Sequence, residues 1–75
     1  MNISEQVLSR IVSLASQGYD VRFLSDYNNW IKIRLSKSCY IVEHVVSIEE
    51  LEKSRFDIVL YIIDRLMESL NEYGV

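Results

Sequence analysis

Apolar positions along the chain fall into two stretches of helical spacing, with three alternating runs between them. In the first stretch Ile3, Val7, Leu8, Ile11, Leu14 and Ala15 lie three or four residues apart, the repeat of one helix face. Asn2 or Ser4 can cap its start, and Gly18 stands where a left-handed stop favours glycine. A helix over about residues 3–17 is predicted.

Residues 19–24 then alternate, with Tyr19, Val21 and Phe23 on one side and Asp20, Arg22 and Leu24 on the other. Residues 30–35 alternate cleanly, placing Ile31, Ile33 and Leu35 inward and Trp30, Lys32 and Arg34 outward. Residues 39–46 admit two faces: Tyr40, Val42, His44 and Val46, or Cys39, Ile41, Glu43 and Val45. The first is taken as core-facing because it leaves Glu43 in solvent. A slip of one residue would exchange the two sets. The connections at 25–29 and 36–38 are short and polar, as hairpins need.

The second helical stretch opens on a start signal. Ser47-Ile48-Glu49-Glu50 has the form of a capping box, in which Ser47 accepts from the Glu50 amide and Glu50 reaches back. Val46 and Leu51 are spaced as the hydrophobic staple that accompanies such a box. Phe56, Val59, Leu60, Ile63, Leu66, Met67 and Leu70 continue at helical spacing, and Gly74 is placed to stop the element. One helix over about residues 48–73 is predicted. Ile58, Tyr61 and Ile62 lie off its main stripe. A helix apolar on more than one side has a second neighbour, here either the first helix or a second copy of the chain.

The order α-β-β-β-α implies one α+β domain over residues 1–75, a three-stranded antiparallel meander with both helices on one face. The other face would be open and present Arg22, Trp30, Lys32 and Arg34.

Composition is consistent with a small core that folds without staples. The chain has 75 residues, 49% of them hydrophobic, and no proline. A single cysteine, Cys39, excludes an internal disulfide and suits a reducing compartment. No apolar run of about 18 residues occurs, and the start lacks a basic, apolar leader. The expectation is a soluble cytoplasmic protein without membrane association. The net charge of −3 is uneven: residues 47–75 carry seven acids and three bases, whereas residues 19–46 carry three acids and four bases. Such asymmetry fits either a solvated helix face or an acidic surface that competes for a basic groove.

Catalytic chemistry finds little purchase. His44 and Cys39 are the only residues of their kinds, and an odd separation along a strand puts them on opposite faces. Only Gly18 and Gly74 are glycines, so no phosphate-cradling loop exists. Asp57, Asp64 and Glu68 fall near one helix face, where acids usually serve solvation, and nothing completes a metal site. No enzyme activity, metal or cofactor is expected.

The double-stranded RNA-binding domain shares this order of elements and this length. It needs lysines at the start of its last helix to meet phosphates. Here that segment is Ser47-Ile48-Glu49-Glu50-Leu51-Glu52, which would repel them. The open face offers another route to single strands or nucleotides, with Trp30 to stack on a base and Arg22, Lys32 and Arg34 to meet phosphate. The same tryptophan and arginines also suit a protein partner.

In pattern the chain resembles the small α-β-β-β-α proteins that phages encode against bacterial defences, the anti-CRISPR inhibitors of the type II-A effector nuclease. The likeness runs over about residues 1–65. It is carried by Met1-Asn2-Ile3, Tyr19-Asp20-Val21-Arg22-Phe23-Leu24, Ile31-Lys32-Ile33-Arg34-Leu35, Tyr40-Ile41-Val42 and the capped helix. It implies a non-enzymatic inhibitor that presents acids to a basic groove of a host nucleic-acid-binding defence protein. In that family part of the acid cluster precedes the third strand; here the turn is Ser36-Lys37-Ser38, without an acid. Glu43, Glu49, Glu50 and Glu52 are the remaining acids of matching sign nearby. What carries over is a small inhibitor or adaptor for a host protein, with a homodimer or assembly subunit built on Ile58, Tyr61 and Ile62 as the alternative.

Overall fold

The structure, a computed structural model, describes residues 5–25, 28–54 and 57–74. The expected cap at Asn2 or Ser4, and the stripe residues Ile3 and Phe56, lie outside the described residues.

Helix α1 (Glu5–Ser16) turns into the sheet through a Schellman closure. The Gly18 amide donates to the Ala15 carbonyl at 3.1 Å, and the Tyr19 amide donates to the Leu14 carbonyl at 3.0 Å. Gly18 takes φ 91°, a value that a side chain would strain. Tyr19 and Leu14, the residues such a closure brings together, are both buried.

Three strands follow, β1 (Asp20–Ser25), β2 (Trp30–Lys37) and β3 (Tyr40–Ser47), in the order β1-β2-β3. Both pairings are antiparallel: Arg22 stands opposite Arg34, and Arg34 opposite Glu43. Strand β2 runs two residues beyond its predicted end and β3 is displaced by one residue, so their connection is Ser38-Cys39, with Lys37 opposite Tyr40. Ser38 has φ 57°, the positive value that tight hairpin turns use. Cys39 therefore sits in the turn rather than in β3, and it is exposed.

The predicted capping box is present in part. Ser47 holds the N-cap of α2 (Ile48–Lys53) with φ −75° and ψ 146°, and its hydroxyl accepts from the Glu50 amide at 3.1 Å. Val46 and Leu51, the staple pair, are both in the core. The helix does not run on to residue 73. Ser54 caps α2 with φ −87° and ψ 2°, and a second helix, α3 (Asp57–Asn71), takes over. The Asp57 amide donates to the Ser54 carbonyl at 3.0 Å across the break. Apolar spacing continues through the break, which is why the pattern alone merges the two elements.

All described helices cover one face of the sheet. Ile31, Ile33 and Leu35 from β2 meet Val7 and Leu14 of α1, Leu51 of α2, and Val59, Ile63, Leu66 and Leu70 of α3 in one core. Helix α1 packs over β1, α3 over β2 and β3, and Arg10 of α1 forms an ion pair with Asp64 of α3. The architecture is α+β, a three-stranded antiparallel meander with an open face.

At the end of the sheet near the β2–β3 turn, the Lys37 ammonium lies 4.6 Å from the centre of the Tyr19 ring. Close by, Tyr40 stacks on Tyr73 with ring centres 5.2 Å apart. This row ties the end of α3 to the hairpin.

Candidate functional site

The four acids of the expected acidic surface separate into two places. Glu49 and Glu52 project from α2 beside Trp30, and together with Asn29, Ser47 and Ile48 they rim one shallow hollow. The hollow exists because the Ile48 amide donates to the Asn29 carbonyl at 2.8 Å, drawing the start of α2 onto the β1–β2 turn. Trp30, 45% exposed, forms its aromatic wall. Asn29 supports the turn with φ 69°, a conformation asparagine tolerates. Lys53 reaches Glu49 at 3.4 Å on the fully solvated side of α2, a contact that leaves the glutamate accessible.

Glu43 and Glu50 belong elsewhere. Glu50 and His44 line a second hollow, between β3 and α3, together with Tyr61 and Arg65. Glu43 also borders it, while its carboxylate accepts from Arg34 at 2.7 Å. The Arg65 guanidinium stands 6.0 Å from the centre of the Tyr61 ring. His44 shares the inward side with Val42 and Val46, as the alternation predicts, but it remains exposed beside α3. Sequence reasoning missed Arg65 and Asn29 as site neighbours, because both come into place through contacts distant along the chain.

On the open sheet face Arg22, Lys32 and Arg34 do share a surface, and Trp30 stands at its end. The bases are accompanied by acids: Arg22 donates to Asp20 at 2.8 Å and Arg34 to Glu43 at 2.7 Å. Exposed Ile41 and Val45 interrupt the patch. Phosphate approaching this face would meet carboxylates next to both guanidinium groups.

The third expected cluster is not a surface. Ile62 is only 3% exposed and packs in the core, and Ile58 is half-buried against that core. Of the three residues for which either the first helix or a second copy was the expected neighbour, Tyr61 alone stands out into solvent. The second neighbour that their position demands is supplied within the chain.

Among the described residues, no three histidine, cysteine, aspartate or glutamate side chains group as metal ligands. No described helix is long and apolar enough to cross a membrane. No known protein family, curated protein or solved structure matches the chain.

Proposed function

We propose that the protein is a non-enzymatic inhibitor or adaptor that occupies a basic surface on another protein, of the kind phages and mobile elements direct at host defence proteins. The observation that carries this reading is the meeting of Glu49 and Glu52 with exposed Trp30 around one hollow. A tryptophan flanked by acids offers what a basic protein groove binds: a large apolar anchor, and carboxylates that pair with arginine or lysine around it. The excess of acids over residues 47–75 extends the same field and would steer such a partner. The pattern resemblance to anti-CRISPR inhibitors supports a host nucleic-acid-binding protein as the target.

Affinity capture from bacterial lysate, with and without nuclease treatment, tests the reading. One stoichiometric protein should survive nuclease and disappear when Glu49 and Glu52 are both replaced by lysine. Capture that persists with Glu49→Lys/Glu52→Lys refutes the acidic surface. Capture that vanishes on nuclease treatment instead transfers the function to the open face of Arg22, Lys32 and Arg34.

A further inference from the structure

Helix α1 has an apolar flank that stays exposed among the described residues. Val7 and Leu14 point into the core, and Arg10 turns toward α3 to pair with Asp64. At about 100° per residue, Leu8, Val12 and Ala15 lie on the flank opposite Arg10. Leu8 is 55% exposed and Val12 62% exposed. Glu5, seven residues before Val12 and so almost in line with it, puts one acid at the start of this flank, and the turns from Leu8 to Ala15 add none. Because α1 packs over β1, the flank looks out past the outer side of β1.

That outer side is itself unfilled. Strand β1 is terminal in the order β1-β2-β3, so no described strand pairs with it there. An open strand edge beside an open apolar helix flank is one continuous surface, and its chemistry is self-complementary. In an antiparallel pairing of β1 with itself, opposed residues share a face, so only registers centred on a residue keep the two cores on the same side. Centring on Arg22 would oppose two guanidinium groups. Centring on Phe23 sets Arg22 against Leu24 and Val21 against Ser25. Centring on Val21 pairs Asp20–Arg22 of the two strands, setting Asp20 against Arg22 of the other copy, twice, and brings Phe23 opposite Tyr19, the residue that precedes β1. Asp20 and Arg22 now pair within their own strand, largely in solvent, and are free to exchange partners. Strand β3, the opposite edge, has Glu43 but no lysine or arginine and forms no such pairs with itself.

We propose that β1 and the Leu8–Val12–Ala15 flank of α1 bind a second copy of this chain about a two-fold axis at Val21. The two sheets join into one of six strands with all helices on one face, and the copies of α1 lie antiparallel, each covering the other's apolar flank. The acidic hollow at Trp30 stays outside this contact, so each dimer carries two copies of it.

Sedimentation equilibrium over about 1 to 500 µM tests the proposal, because a dimer of this kind is governed by mass action. The native chain should approach dimer mass within that range. Val12→Glu, which puts a charge into the helix contact, should raise the dissociation constant at least about tenfold, as should Arg22→Asp, which opposes acids across the strands. The exchanged pair Asp20→Arg/Arg22→Asp should restore the dimer. All the altered side chains are exposed, and circular dichroism checks that each variant folds. A native chain monomeric throughout, a mass that grows beyond the dimer, or a dimer indifferent to both single variants overturns the proposal. Failure of the exchanged pair to restore association overturns the Val21 register.

Discussion

Helix α3 buries Val59, Ile62, Ile63, Leu66 and Leu70, whereas α1 buries only Val7 and Leu14 among its described residues. Both sequences show an apolar stripe at helical spacing, so the difference arises from position. Helix α3 touches β2, β3, α1 and α2, and apolar side chains find neighbours even off the main stripe. Helix α1 sits at the margin over β1, with α3 on one flank only. A central helix converts its apolar residues into core; a marginal one keeps part of its stripe as surface.

The strongest way to break this contrast is to truncate matched side chains on the two helices. Ile63→Ala removes a side chain with no exposure and should cost about 3–5 kcal/mol, a large share of the stability of a domain this small. Leu8→Ala on the free flank of α1 should cost within about 0.5 kcal/mol in solution dilute enough to keep the chain monomeric. Urea denaturation at low micromolar concentration measures both, and a similar loss at the two sites would abolish the distinction between core and surface.

A smaller effect sharpens the account of how α2 begins. Ser47→Ala removes the acceptor of the Glu50 amide and should cost about 1 kcal/mol in the same denaturation experiment. Ser47→Asp should retain most of that stability, since aspartate caps equally well. The smallest effect concerns the link between the two unequal helices. Asp64→Asn loses the ion pair with Arg10 across partly exposed surface and should cost below about 1 kcal/mol, less still in high salt. A salt-independent loss of several kcal/mol would mean that the pair organises α1 rather than decorating it.

Much of this molecule was legible in its residues because local rules and tertiary packing agree. Ser47 caps, Val46 and Leu51 staple, Gly18 closes α1, and Ile31, Ile33 and Leu35 turn inward, each as spacing and residue type require. The break at Ser54 was hidden because no glycine or proline marks it, and Leu51 and Ile58, seven residues apart, keep nearly the same helical phase on both sides. The neighbour of Ile62 was left open between the first helix and a second copy because periodicity ranks the faces of a helix without knowing how many neighbours surround it. The candidate site was visible only as types: the acids and Trp30 could be named, but not that Glu49 and Glu52 join Trp30 while Glu43 and Glu50 border the other hollow.

By itself, then, the sequence determined the alternation of the strands, the start of α2, the closure of α1 and the α+β class, all set by interactions within a few residues. Tertiary structure alone decided which helix lies centrally, which apolar residues stay in solvent, and which acids stand beside Trp30. Those outcomes depend on contacts between segments far apart in the chain, such as Ile48 with Asn29 and Arg10 with Asp64, whose partners no local pattern specifies.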